Sequence, residues 1–217
     1  LSEQAGMFSP WLFIIIGLLI ITVVWTFAAL ASYFKNTGGP VLYAARAFGP
    51  FVGFQTGWLL YIGRVSAFAA NSNVLFDYAA YLWDGASNEI LRLILLSLVI
   101  GGLTLINIMG IKKAVQAINI LTFLKIIPLL VMIILGLQYL TPAGFMPSDI
   151  PQFDDKGALA LLILYAFVGF EGALVTAGET KNPQKTLPRA LITTVLAITF
   201  LYFIIQMVYV SVVPTGG

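Results

Sequence analysis

Polar and apolar residues alternate along this chain in long blocks rather than at short period. Six apolar stretches stand out: Pro10–Phe34, Phe51–Leu75, Leu91–Met109, Val115–Leu140, Gly157–Gly178 and Ala190–Val213. Each is near the ~20 residues that a helix needs to cross a bilayer. Ser9-Pro10 reads as a start signal for the first, with Ser as N-cap and Pro at the first helical position. Gly38-Gly39-Pro40 and Gly49-Pro50 punctuate the first connection, and Val41–Phe48 between them is expected to form a short interfacial helix. Pro128 falls inside the fourth stretch and is expected to kink it. The fifth is interrupted by Phe167-Val168-Gly169-Phe170-Glu171-Gly172, two glycines and a carboxylate at the depth where a bilayer is driest. A glycine-interrupted span frees backbone groups that can bind a polar solute.

Composition agrees with a lipid solvent. The 217 residues are 60% hydrophobic and 9% charged, against about 25% charged in soluble domains. The fold class expected is all-α transmembrane. Histidine and cysteine are both absent. That excludes thiolate chemistry, disulfides and catalytic triads built on His or Cys, and no metal site or cofactor is expected. No basic cluster with interleaved aromatics suggests nucleic acid.

The net charge of +2 says less than where the charges sit. The connection 35–50 carries Lys35 and Arg46, 110–114 carries Lys112 and Lys113, and 179–189 carries Lys181, Lys185 and Arg189 against Glu179. The alternate connections hold Asp77, Asp84 and Glu89, then Asp149, Asp154 and Asp155, with Arg92 and Lys156 as their bases. The positive-inside rule then places loops 35–50, 110–114 and 179–189 in the cytoplasm of a multi-pass protein of the cell membrane. Both ends of the chain come out on the opposite side. Leu1–Ser9 has no basic n-region or cleavage pattern, and position 1 is not Met. The simplest expectation is at least one further helix upstream.

Three ionisable residues lie within spans: Arg64, Lys125 and Glu171. A charge at the centre of a membrane helix costs roughly 2.5–3.5 kcal/mol on an insertion scale, so each needs a reason. Lys125 is ten residues into its stretch, roughly 15 Å of helical rise. It is either a group that binds and releases a proton or a structural ammonium held by carbonyls of neighbouring helices. Arg64 is a poor proton carrier; it either binds a substrate carboxylate or neutralises Glu171. Glu171 is either a gating, proton-linked carboxylate or one locked to a buried base or to backbone donors. The patch Ala69-Ala70-Asn71-Ser72-Asn73 suits close helix packing, and Asn71 can alternatively face a cavity.

Leu164–Gly172, with Ala177–Lys185 and Leu187–Ala190, resembles the sixth helix and following loop of the amino acid–polyamine–organocation permeases. Asn107, Gly110-Ile111-Lys112, Asn119, Thr122, Lys125 and Pro128 resemble that family's fourth-to-fifth helix region, and Gly57-Trp58 with the Ala-Asn patch its third helix. The resemblance implies the six-helix portion of an inverted-repeat (5+5) transporter fold with a broken helix at Phe167–Gly172. Residues 1–157 would be the remainder of the first repeat, its first helix absent, and 158–217 the start of the second. It also implies that Tyr165, Ala166, Phe167, Val168 and Gly169 line the unwound segment, their carbonyls taking a substrate ammonium. Lys125 resembles the fifth-helix lysine of sodium-independent members, which favours proton coupling or exchange. Arg64 departs from the family pattern.

The function expected is secondary active transport of an amino acid by alternating access, proton-coupled symport or exchange. The partners are then a small-molecule amino acid, protons and the lipid bilayer; an accessory subunit is left open. A polyamine or amine exchanger is the alternative within transport, and it would want more acid near the pocket than Glu171 supplies. A channel usually needs a symmetric ring of charges or carbonyls. An enzyme is not expected, since the catalytic inventory is too thin.

Overall fold

The computed structural model describes residues 5–83, 85, 88–140 and 156–212, apart from the side chains of Ile111 and Lys156. Asp84, Asp149, Asp154 and Asp155, and with them most of the acidic charge expected between spans, lie outside the described residues, as do both chain ends. The helices are α1 (Ser9–Tyr33), α2 (Pro40–Phe48), α3 (Pro50–Leu82), α4 (Glu89–Ile108), α5 (Ile111–Gly136), α6 (Lys156–Phe167), α7 (Gly172–Val175) and α8 (Pro183–Val212). Single 3-10 turns at Gly6–Phe8, Leu137–Tyr139 and Ala177–Glu179 extend or join them. No strand occurs among the described residues.

Four helical runs are long and apolar enough to cross a membrane: Gly6–Tyr33, Glu89–Ile108, Lys112–Tyr139 and Pro183–Val212. The fold is therefore all-α and transmembrane. The second stretch forms a helix, α3, but a more polar and longer one than expected. It runs 33 residues to Leu82, about 50 Å of rise against a hydrocarbon core of ~30 Å. Asp77 is thus helical rather than in a loop, because nothing from Phe76 to Leu82 breaks the helix. Ser9 departs from its expected role as well. The 3-10 turn before α1 already holds the chain helical, so Phe8 takes the N-cap position and offers no side-chain cap. The Ser9 hydroxyl instead donates back to the Gly6 carbonyl at 2.8 Å.

Packing divides the chain into two compact units, Leu1–Phe54 with Pro128–Gly217, and Gln55–Ile127. In the first, α1 and α8 form the main helix–helix interface. The core is made of residues one or two turns apart: Val24, Ala28 and Ala31 on α1, Leu159, Ile163 and Phe167 on α6, and Leu187, Leu191 and Val195 on α8. That spacing puts each set on one helix face. Small residues let the backbones approach, the usual basis of association where lipid removes any hydrophobic contrast. Gly17 shows this most sharply, since a Cβ there would meet the Thr199 side chain at 2.5 Å. At one end of the pair, buried Ser9 accepts from Gln206 Nε2 at 2.8 Å. On α2, burial beside Phe34 pushes the Tyr43 phenol above its usual range, so it packs as a neutral ring.

In the second unit, Asn88 caps α4 by accepting from the amides of Ile90 and Leu91 at 3.0 and 3.1 Å. Arg92, one turn in, donates to Asp77 at 3.0 Å and to the Asn73 carbonyl and side-chain oxygen at 3.1 and 2.8 Å. This fork ties α4 to α3.

Gly17→Ala is expected to destabilise the full-length protein by about 1–3 kcal/mol through overpacking against Thr199. Adding Thr199→Ala removes the obstructing atoms and is expected to restore most of the loss. Thermal unfolding in detergent checks both; additive effects of the two substitutions would exclude the contact.

Candidate functional site

The break in the fifth apolar stretch follows from one glycine and the residues around it. α6 ends at Phe167, and Gly169 adopts φ +124°, a conformation that L side chains rarely reach. The chain from Val168 to Glu171 is a turn, and α7 adds only four residues. The interruption expected at Phe167–Gly172 is therefore present. The helical hydrogen bonds tighten through it: Val168 donates to Tyr165, Gly172 to Gly169 and Leu174 to Glu171, at 3.2, 3.1 and 3.1 Å.

Glu171 completes the turn from within. Its Oε2 accepts the Gly169 amide at 3.0 Å. Of the two roles open to this carboxylate, engagement with a backbone donor is thus present, and a carboxylate with one such bond keeps acceptor capacity for others. Phe170, beside it, packs edge-on against Phe27 of α1 with ring centroids 5.7 Å apart.

The residues expected to line the unwound segment are adjacent in space but differ in setting. Tyr165 is still helical, on the last full turn of α6, and 54% exposed. Ala166 is half-buried, and Phe167 is turned into the core at 5% exposure. Val168 and Gly169 are exposed at the turn itself. Sequence reasoning missed Tyr202 on α8. Its hydroxyl donates to the Ala166 carbonyl at 3.1 Å, and its ring lies between Phe13 at 5.5 Å and Phe167 at 5.6 Å. The only signal in the chain was a tyrosine in the middle of an apolar stretch.

Beyond the break, the chain is held against the connection between α1 and α2. Gly38 donates its amide to the Val175 carbonyl at 3.1 Å. A Cβ on Gly39 would meet the Leu174 backbone at 3.0 Å, and one on Gly178 the Thr37 side chain at 2.9 Å. Gly39 and Gly178 thus leave room for the two segments to approach closely, and the Gly38 amide bonds across them.

Arg64, Asn71 and Lys125 belong to the other unit. Arg64 and Asn71 share a face of α3, seven residues apart. Asn71 is exposed, and it is Asn73 from the same patch that bonds across helices, through Arg92. Lys125 is exposed on α5 and sits at the middle of the run Lys112–Tyr139, thirteen residues from one end and fourteen from the other. No group of three or more His, Cys, Asp or Glu able to hold a metal occurs among the described residues.

Comparison with known proteins gives a consistent picture. Residues 2–217 match the family described as amino acid permease. The polyamine transporter PUT1 of rice (Oryza sativa subsp. japonica) is 30% identical over 212 residues, covering 93% of this chain and 39% of that protein. The aspartate-proton symporter of Bacillus subtilis (strain 168) is 25% identical over 228 residues, covering 99% of this chain and 43% of the relative. The branched-chain amino acid permease BcaP of the same organism is 27% identical over 218 residues, with 93% and 47% covered. The chain spans less than half the length of these curated relatives. They are transporters, not enzymes.

Glu171→Gln retains an oxygen for the Gly169 amide and removes the charge. It is expected to leave thermal stability within about 1 kcal/mol, since a neutral acceptor replaces a charged one, and to flatten the pH dependence of uptake by the full-length protein. A pH profile identical to that of the parent would assign Glu171 to the turn alone.

Proposed function

The chain belongs to the amino acid permease family, and from that premise we propose that it contributes to secondary active transport of an amino acid by alternating access. The observation that carries the reading is the break in α6, where Gly169 turns the backbone and carbonyls lose their helical donors in the middle of an apolar stretch. A zwitterion's ammonium matches such carbonyls in charge and hydrogen bonding, and binding at an interrupted helix near the midplane suits exposure to each side in turn. Tyr165, Ala166, Phe167, Val168 and Gly169 are the substrate-binding residues in this reading.

Lys125 is the coupling group. A lysine at the middle of a membrane span can exchange a proton as its surroundings change, a role for which a guanidinium is poorly suited. The name of one relative, an aspartate-proton symporter, supports the same coupling. The architecture that accompanies this reading is an inverted repeat, with residues 1–157 in the first repeat and 158–217 opening the second. The connections bearing Lys35 and Lys181, with the first turns of α5 (Lys112, Lys113) and of α8 (Lys185, Arg189), would then face the cytoplasm. A polyamine substrate is the second reading, favoured by the rice relative. It is weakened by the single carboxylate, Glu171, at the break.

Uptake by the full-length protein in proteoliposomes under an imposed proton gradient separates these readings, using the twenty amino acids, putrescine and spermidine as substrates. Accumulation of an amino acid with saturation and counterflow is expected. Uptake of the amines alone would select the polyamine reading, and non-saturating flux would indicate a pore. Lys125→Ala is expected to abolish gradient-driven accumulation while leaving substrate counterflow measurable. Accumulation at the parental level in that variant would remove Lys125 from the coupling role.

A further inference from the structure

A helix that stops inside a membrane leaves its last four carbonyls without the amides that a continuing helix would supply. Lipid offers no water in their place, so each must find a protein donor or a solute. Tyr165 receives the Val168 amide at 3.2 Å. Ala166 receives a donor from another helix, the Tyr202 hydroxyl at 3.1 Å. That hydroxyl is held in place rather than free to swing. The Tyr202 ring lies 5.6 Å from Phe167 in an edge-on arrangement and 5.5 Å from Phe13 on α1. Three helices therefore fix one oxygen–oxygen contact, and a ring with two rotatable bonds loses little freedom in making it.

We propose that Tyr202 is a positioning residue for the substrate ammonium. By taking the Ala166 carbonyl it sets where α6 ends, and it leaves the next carbonyls, of Phe167 and Val168, as the acceptors for a primary ammonium. Removing the hydroxyl exposes a competing acceptor one residue earlier, inside an apolar wall, and shifts the ammonium off the turn. The ring itself need not touch the substrate. The inference rests on the reading that the break binds the substrate ammonium, and the experiment separates the two.

Tyr202→Phe keeps the ring and its two aromatic contacts and removes only the hydrogen bond. In the full-length protein it is expected to raise KM about tenfold, the scale of one hydrogen bond to a charged group, with the maximal rate within about twofold of the parent. Competition by leucine against 4-methylpentanoate, and by aspartate against succinate, tests the ammonium directly. The preference for the amine-bearing member of each pair is expected to fall about tenfold in Tyr202→Phe, because its partner has no ammonium to misplace. A merely structural role would weaken both members alike. If Tyr202→Phe does not reach the membrane, Phe13→Leu loosens the ring while keeping the hydroxyl, and a shift of about threefold in the same ratio is expected. An unchanged ratio in the variant that folds, with parental transport intact, overturns the role of Tyr202 alone. Failure of the parent to transport any amino acid overturns the reading beneath it and this inference with it.

Discussion

In hydrocarbon, every backbone amide and carbonyl must be answered by the protein or by a solute it holds, and that requirement organises the described structure. Continuous helices meet it without help, which is why nearly all of the described residues are helical. The turn at Val168–Glu171 does not meet it alone. It is sustained by bonds of four different origins: tightened backbone bonds within the turn, the Glu171 carboxylate on the Gly169 amide, the Tyr202 hydroxyl on Ala166, and the Gly38 amide on Val175. The last two come from segments distant in sequence. The break is thus a product of the surrounding fold as much as of its own glycine.

The same helices that answer the break also carry the packing around it. α1 supplies Phe13 and Phe27 to the aromatic contacts and Gly17 to the close approach with Thr199. α8 supplies Tyr202 and the face formed by Leu187, Leu191 and Val195. A shift of one helix along the other would therefore disturb the Gly17–Thr199 approach and the Phe13–Tyr202 contact together. This links the geometry of the broken segment to the register of a helix pair.

Much of this was legible in the residues. The apolar stretches marked the helices because length and hydrophobicity go far when the solvent is lipid, but α3 runs on from Leu75 to Leu82 and α8 begins at Pro183 rather than Ala190, so Lys185 and Arg189 are helical rather than in a loop. The interruption at Phe167–Gly172 was legible because glycine and a carboxylate are both conspicuous there. The charges were read less well. Asp77 and Arg92 looked like loop residues of opposite sign, whereas they form a fork between α3 and α4 with Asn73, and the α3 helix continues past both Asn73 and Asp77. A polar residue near a span end can be solvated or paired, and composition alone does not distinguish the two. Asn71 was singled out from its patch for the same reason, while its neighbour two residues on makes the interhelical bond.

By itself, then, the sequence determined that the protein is helical and membrane-spanning, and that one apolar stretch breaks at a glycine. These properties are local: they follow from residue type, spacing and the cost of charge and free backbone in lipid. Only the tertiary structure decided which faces meet and which donors reach the break. Helices that are apolar all round carry no contrast to say which side is inside, so the pairing of Gly17 with Thr199 and of Tyr202 with Ala166 depends on shape and hydrogen bonding across helices far apart in the chain.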